Sequence, residues 1–175
     1  MNVVLLKQKD IGVVVREEMG SVLLIDAKDS KEMFVVSSLF KHVNDTNDVL
    51  FLQRENPSHT DLIVFNGAVN PLNRKVIKEI KHALHHNKPK HFELTMLNDH
   101  DESLWDTWES GKYEKQLRIH ADKDLAKINA SKLGLELLMH SCAYLAVSYS
   151  GHSHFDGDST SNSIELIIRN IARND

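Results

Sequence analysis

The sequence is poor in cysteine, proline and glycine, with one, three and seven of them among 175 residues. A lone cysteine, Cys142, cannot form an internal disulfide, which excludes a disulfide-stabilised secreted framework. No proline- or serine-rich linker and no repeat is visible, so we interpret residues 1–175 as a single domain. A chain of this length buries roughly 70% of its unfolded surface, and needs neither disulfide nor metal to hold a core.

Long apolar runs are also missing. No stretch of about 18 uncharged apolar residues exists, which excludes a membrane-spanning helix. The first apolar run, residues 3–6, ends at Lys7 and is too short for a signal peptide. We therefore expect a cytoplasmic protein without a membrane partner. The net charge of −4 excludes a strongly basic domain built as a whole for nucleic acid.

Histidine, in contrast, is abundant, with eleven residues scattered along the chain. Histidine binds metals and changes charge near neutral pH, so a histidine-rich protein raises the question of a metal site or a pH response. Scattered histidines are more commonly polar surface residues.

The first third of the chain alternates short β-branched or leucine runs with turn residues. Residues 3–6, 11–16 and 22–26 are predicted strands, and together they suggest an N-terminal β-meander. The following segment, residues 30–43, repeats its apolar residues at spacings of three and four, which predicts a helix. Asp29 or Ser30 is suited to cap that helix. A strand over residues 33–37 is the alternative.

The middle of the chain predicts a strand, a helix and a second strand over residues 61–97. Residues 62–65 and 92–97 have strand composition, as do residues 49–53 before them. Between them, Asn70 and Pro71 are expected to begin a helix, with Asn70 as its cap. This pattern indicates a βαβ unit with a right-handed crossover.

The C-terminal half is predicted to be mainly helical. A short helix over residues 101–110 and a strand over residues 113–119 precede a long apolar helix, which starts at Asp122 or Asp124 and ends near Val147. A last helix is expected from about Ser159 to Ala172. The predicted class is therefore α/β, a single domain in which an N-terminal β-meander leads into a mixed sheet with one βαβ unit and two C-terminal helices.

Polar residues follow three of the predicted strands, which suggests a ligand site. In open α/β sheets, ligands bind beyond the carboxyl ends of the strands. Oxygen ligands suit Mg²⁺, and a helix N-terminus after a glycine suits a phosphate. Turn and cap residues have the same composition. The candidate ligand or phosphate-binding residues are Asp26, Asn66, Gly67, Asn70, Arg74, Asp99 and Asp101.

A second candidate is a zinc site near the C-terminus. Alternate residues of an extended segment share one side, which would bring His152, His154 and Asp156 together. Imidazole and carboxylate groups are ligands for Zn²⁺. The glycines on either side, Gly151 and Gly157, favour a surface loop instead.

Two charged segments form a third candidate. Residues 71–91 are strongly basic and could bind the phosphates of a nucleic acid, whereas residues 99–114 are strongly acidic. The acidic segment also contains Trp105 and Trp108, a composition typical of partner-binding anchors. Each segment could equally be a solvated surface, and the two could attract each other within or between chains.

The sequence contains no glycine-bracketed serine, phosphate loop or zinc-protease motif. We therefore favour a non-catalytic binding or regulatory domain that acts through a protein partner or by self-association, and whether it is an enzyme stays open. The alternative is a Mg²⁺-dependent enzyme acting on a phosphate ester or nucleic acid, with Asp26, Asp99 and Asp101 as metal ligands and Arg74 as a phosphate clamp.

Overall fold

Nine strands and three α-helices form within the part of the chain that the structure, a computed structural model, describes: residues 1–86, 88, 90–97, 116–156 and 163–173. The strands are β1 (Val3–Lys7), β2 (Val13–Glu18), β3 (Val22–Ala27), β4 (Val49–Gln53), β5 (Asp61–Phe65), β6 (Leu117–Ala121), β7 (Leu125–Ala130), β8 (His152–Asp156) and β9 (Glu165–Asn170). The helices are α1 (Ser30–Thr46), α2 (Arg74–His86) and α3 (Lys132–Val147).

The strands assemble into two mixed sheets. Sheet A has the order β1-β4-β5-β7-β6, and sheet B has the order β2-β3-β9-β8. Each sheet contains a parallel pair at its centre, β5 with β7 in sheet A and β3 with β9 in sheet B. The predicted α/β class with a mixed sheet is confirmed.

One hydrophobic core connects the two sheets. It takes buried side chains from one face of each sheet and from helices α1 and α3, which pack against each other. The hydroxyl of Ser37 on α1 donates to the carbonyl of Met139 on α3 at 2.6 Å. Helix α2 covers the opposite face of sheet A, where Ile77 and Ile80 are buried in a second, smaller core.

Helix α3 is buried around most of its circumference, as its apolar composition predicts. It is 16 residues long and lies inside the protein core. Of the helices in the described residues, none has both the length and the apolar character needed to cross a bilayer.

Capping residues set where two of the helices begin. Asp29 caps α1 as predicted, because its Oδ1 accepts the backbone N–H groups of Lys31 and Glu32. The predicted start of α2 at Asn70 is wrong. Asn73 caps α2 instead, since its Oδ1 accepts the N–H groups at positions 75 and 76.

The predicted N-terminal meander is also wrong, since β1 and β2 lie in different sheets. A short 3-10 helix, Gln8–Ile11, follows β1, and Gly12 then adopts a left-handed conformation with φ of 61°. This turn redirects the chain from sheet A to sheet B. Of these three strands, only β2 and β3 form an antiparallel hairpin, and β1 pairs in parallel with β4.

The predicted βαβ unit is correct in its first strand and its helix, but not in its last strand. Residues 92–97 form no strand and lie against α1 instead. The backbone N–H of Leu97 donates to the Ser38 hydroxyl at 2.7 Å, and the ring of Phe92 contacts that of His42 edge-on. The parallel neighbour of β5 is β7, further along the chain.

Two of the C-terminal helix predictions need correction. Residues 125–130, expected within the long helix, form β7, and α3 begins only at Lys132. The expected last helix is the strand β9, which is partly or fully buried on both faces in the middle of sheet B. The short helix predicted over residues 101–110 lies outside the described residues.

The two halves of the chain repeat one arrangement, contrary to the expectation of no repeat. Strands β2 to β5 run as a hairpin, helix α1 and a second strand pair, and β6 to β9 follow the same order around α3. Segments 61–70 and 165–174 also share five of ten residues: Leu62/Leu166, Ile63/Ile167, Asn66/Asn170, Ala68/Ala172 and Asn70/Asn174. The two matching segments are short and lie far apart along the chain, so the repeat is not evident from the sequence alone.

Each sheet combines strands from both halves of the chain. Sheet A joins the strand pair β4–β5 of the first half to the hairpin β6–β7 of the second, and sheet B joins β8–β9 to β2–β3. Strand β1 extends sheet A beyond β4. Among the described residues, no strand occupies the corresponding position beyond β8 in sheet B.

Candidate functional site

Three of the predicted site residues, Asp26, His152 and His154, lie on one face of sheet B. The opposite face enters the main core through residues such as Ile25 and Phe155, and side chains alternate between the faces of a strand. We call the other side the outer face of sheet B. Its residues are Val14, Arg16, Glu18, Val22, Leu24, Asp26, His152, His154, Glu165, Ile167 and Arg169.

Asp26 is held between two arginines on neighbouring strands. Arg169 on β9 donates two hydrogen bonds to the carboxylate, at 2.6 and 2.7 Å, and Arg16 on β2 donates a third at 2.8 Å. Asp26 is buried, whereas each arginine side chain is 38% exposed. The hydrogen bond to Asp26 raises the pKa of Arg169. Two cations thus surround one carboxylate, which leaves an excess positive charge.

The two histidines of β8 lie side by side on the same face. Their rings are 5.0 Å apart, and Nδ1 of His154 lies 2.5 Å from a carboxylate oxygen of Glu165 on β9. Within the described residues, no group of three or more histidine, cysteine or acidic side chains is arranged to hold a metal ion. The predicted zinc ligands His152, His154 and Asp156 lie on one strand, β8.

An open pocket lies at the carboxyl ends of β3 and β9. These strands are parallel neighbours, and the residues that follow them, Lys28 and Ile171, both line the pocket. Asp26 and Arg16 form part of its wall. Such a position beyond parallel strand ends is the usual ligand position in open α/β sheets. The lining residues are Lys9, Gly12, Val13, Val14, Arg16, Asp26, Lys28, His59 and Ile171.

Strand β8 forms the edge of sheet B. The backbone N–H of Asn170 donates to the carbonyl of Gly151 at 2.7 Å, so this pair is hydrogen-bonded across the two strands. Because hydrogen-bonded and non-bonded pairs alternate in an antiparallel ladder, the N–H and C=O groups of His154 face away from β9. Two apolar residues shortly before β8 are unusually exposed, Val147 at 49% and Tyr149 at 94%.

The predicted site residues of sheet A have structural partners. Asn66 accepts the backbone N–H of Ala68, and the N–H of Gly67 donates to the side chain of Asn129 at 2.9 Å. A Cβ on Gly67 would lie 2.6 Å from that side chain, so the glycine permits this close approach. The amide of Asn70 donates to the backbone carbonyl of Asn47. Arg74, the first residue of α2, is exposed.

The sheet order does not bring together the strand ends on which the Mg²⁺ prediction depends. Asp26 belongs to sheet B, Asn66 follows a strand of sheet A, and residues 92–97 form no strand. Asp99 and Asp101 lie outside the described residues, as do Trp105 and Trp108 of the acidic segment. The carboxylate of Asp26 is occupied by arginine donors, which is an arrangement suited to anions rather than to a cation.

The basic segment at residues 71–91 includes helix α2 and its exposed face. Ile77 and Ile80 point into the smaller core, and a shallow surface depression on the helix is lined by Lys75, Lys78, Glu79, His82, Ala83 and His86. Lys81 forms an ion pair with Asp61 at 3.3 Å. The pattern is that of an amphipathic helix covering a sheet, with its charged side in solvent.

Sequence reasoning missed Arg16, Arg169 and Lys28. Each lies in or directly after a strand, without a motif around it, and Arg169 was assigned to a helix. Residues 13–15 are all valine and residues 16–18 are all charged, so no alternation distinguished Arg16 in the sequence.

Comparisons with known proteins identified no relative of this chain. No family model, curated protein or solved structure matches this chain. The proposals below therefore rest on the geometry of its residues.

Proposed function

We propose that this protein is a non-catalytic binding domain that takes up an extended segment of a partner polypeptide at the edge of β8. The observation that carries the proposal is the internal repeat. In sheet A, β1 pairs in parallel with β4, and β8 is the counterpart of β4 in the second half. Strand addition to an exposed sheet edge is a recurrent mode of peptide binding.

The backbone of β8 supports this function. In sheet A, the N–H of Val49 at the start of β4 donates to the carbonyl of Asn2, which precedes β1. In sheet B, His154 directs its N–H and C=O to the equivalent side. Unpaired groups at a sheet edge are a template for an added strand.

The side chains around β8 indicate what kind of segment fits. In β1, Val4 and Leu6 pack against the main core, so the inward residues of the partner segment are expected to be apolar. The half-exposed His154 lies on the outer face at this edge, and hydrogen-bond acceptors such as glutamate suit the outward positions. Tyr149 offers further exposed apolar surface nearby.

A separate polypeptide fits this edge better than a second copy of the chain. Two copies in a closed dimer would bring their β8 strands together antiparallel, because a two-fold axis pairs each strand with itself. That arrangement places His154 opposite or close to its own copy. The neighbour of the corresponding strand β4 is instead parallel and has a different sequence.

A designed peptide tests the proposal directly. The probe is a synthetic peptide of residues 2–8 in which Val3, Leu5 and Lys7 are replaced by glutamate, and binding is followed by NMR and amide hydrogen exchange of the labelled chain. We expect the peptide to shift the resonances of β8 and to slow exchange at the amide of His154. Alternate amides of an added strand point toward its neighbour. N-methylation of one alternating set of peptide amides should therefore abolish binding, and N-methylation of the other set should not.

Two variants at one position provide the matched control. His154→Pro removes the outward N–H, and proline is tolerated on edge strands, whereas His154→Ala keeps that N–H and loses the same side chain. Binding should be lost in the first variant and retained in the second. Equal binding by the two variants would contradict the proposal, as would equal effects of N-methylation at the two alternating sets of positions. A dimer of the free chain that His154→Pro disrupts would also contradict it.

A further inference from the structure

We infer that the pocket at the carboxyl ends of β3 and β9 binds the phosphoryl group of a small phosphate monoester. The site is separate from the edge of β8, and the inference does not depend on the proposed partner binding. It rests on charge, on an unused hydrogen-bond donor and on the position of the pocket in the sheet.

The charged side chains that line the pocket are mainly cationic. Lys9, Arg16 and Lys28 line it with three positive charges, and Asp26 contributes one negative charge. The side chains bonded to them, Arg169 to Asp26 and Glu55 to Lys9, add one charge of each sign. Within this set two positive charges are in excess, which matches the charge of a phosphate monoester near neutral pH. Asp10, Asp29 and Glu18 interact with Lys9, Lys28 and Arg169 without lining the pocket.

Arg16 has one hydrogen-bond donor without a partner among the described residues. Its Nη2 binds Asp26, but its Nε is buried and has no hydrogen-bond partner in the described part of the chain. A buried donor without an acceptor costs free energy, which a ligand oxygen would recover after a small shift of the partly exposed Arg16 side chain. Arginine is also the side chain best suited to hold phosphoryl oxygens.

The shape of the pocket favours a small organic phosphate over free phosphate. Beside the cations, Val13, Val14 and Ile171 line it with apolar atoms, and Ile171 is 54% exposed. The pocket is open to solvent and lies beyond two parallel strand ends. A ligand with a phosphate head and a compact apolar body would cover Ile171 while its oxygens reach Arg16 and Lys28.

Binding of three probes to the whole chain tests this assignment, with amide chemical shifts and calorimetry as readouts. Phenyl phosphate should bind more tightly than inorganic phosphate, and phenol should not bind. The affected amides should be those of Gly12, Val13, Lys28 and Ile171. Lys28→Met should weaken the binding of phenyl phosphate at least about five-fold, because one of the three cations that line the pocket is lost.

Lys78→Met on the exposed face of α2 is the matched control, since it removes an equal charge from the other basic depression. It should change the affinity by less than about two-fold. Arg16→Lys, which keeps the charge but removes the Nε donor, should also weaken binding. The assignment is overturned if Lys28→Met and Lys78→Met have equal effects, or if phosphate perturbs α2 rather than the strand ends. Loss of peptide binding at β8 would leave these results unchanged, so the two proposals fail separately.

Discussion

Asn66 and Asn170 occupy equivalent positions in the two halves of the chain. Each accepts, through its side-chain oxygen, the backbone N–H of the alanine two residues later, at 3.1 Å for Ala68 and 3.3 Å for Ala172. The backbone carbonyl of each also accepts the N–H of the third residue that follows. The same asparagine turn therefore ends the strands β5 and β9.

The two asparagines should differ in their contribution to stability. Asn170 is completely buried, and its amide also donates to the carbonyl of Leu145 and to the hydroxyl of Ser30. We expect Asn170→Ala to lower the free energy of unfolding by about 2–3 kcal/mol, and Asn66→Ala by about 1 kcal/mol. Urea unfolding measures both. Equal losses would mean that the additional bonds of Asn170 contribute nothing.

Gly134 in the first turn of α3 is expected to resist substitution. Alanine is normally favoured over glycine in a helix by about 1 kcal/mol. Here the added Cβ would lie 2.3 Å from the backbone carbonyl oxygen of Gln116, which cannot move like a flexible side chain. Gly134→Ala should therefore destabilise the protein by about 1–2 kcal/mol. The exposed Lys132→Ala, two residues earlier, should stay within about 0.5 kcal/mol of the parent chain.

Glu55 gives a prediction for acid pH. Its hydrogen bond with Lys9 lowers the pKa of Glu55 from its ordinary 4.5. The carboxylate therefore stabilises the fold at pH values above 4.5, and this contribution disappears as the pH falls through the lowered pKa. A carboxyl NMR titration should show the shift, and Lys9→Met should return the pKa toward its ordinary value. Lys31→Met is the control, and a pKa insensitive to Lys9 would refute the pairing.

Cys142 should be unreactive in the folded protein. The residue is completely buried in α3, and burial raises the pKa of its thiol, so little thiolate forms and no reagent reaches it. Labelling with a thiol reagent is expected to follow the global unfolding rate. In a Tyr149→Cys variant, the second thiol at this 94% exposed position should react at once. Fast labelling of both thiols would show that α3 opens locally.

The sequence predicted those elements that have one buried face. In α1, Met33, Val36, Phe40 and Val43 recur at helical spacing, and all four are buried. Strand β9 has no such signal, because Leu166 and Ile168 enter the core while Ile167 lies partly buried on the outer face. A strand with apolar residues on both faces loses its alternation, and the isoleucines of β9 match helical spacing by coincidence.

The sequence identified individual residues of the candidate site but not the contacts between them. Asp26 was identified from its place at a strand end, but its partner Arg169 lies 143 positions away in the sequence. Local patterns carry no information about such a contact. The histidines of β8 likewise appeared as an independent site, and only the pairing of β3 with β9 and β8 places them on the same face as Asp26.

The exchange of strand pairs between the sheets makes the two halves mutually dependent. Each half alone would hold a hairpin and a strand pair that belong to different sheets, with their apolar faces exposed to water. Fragments produced by cleavage between α2 and β6 should therefore remain unfolded when separate and regain structure when mixed. By the same logic, two chains of half this length could build the same pair of sheets as a symmetric dimer.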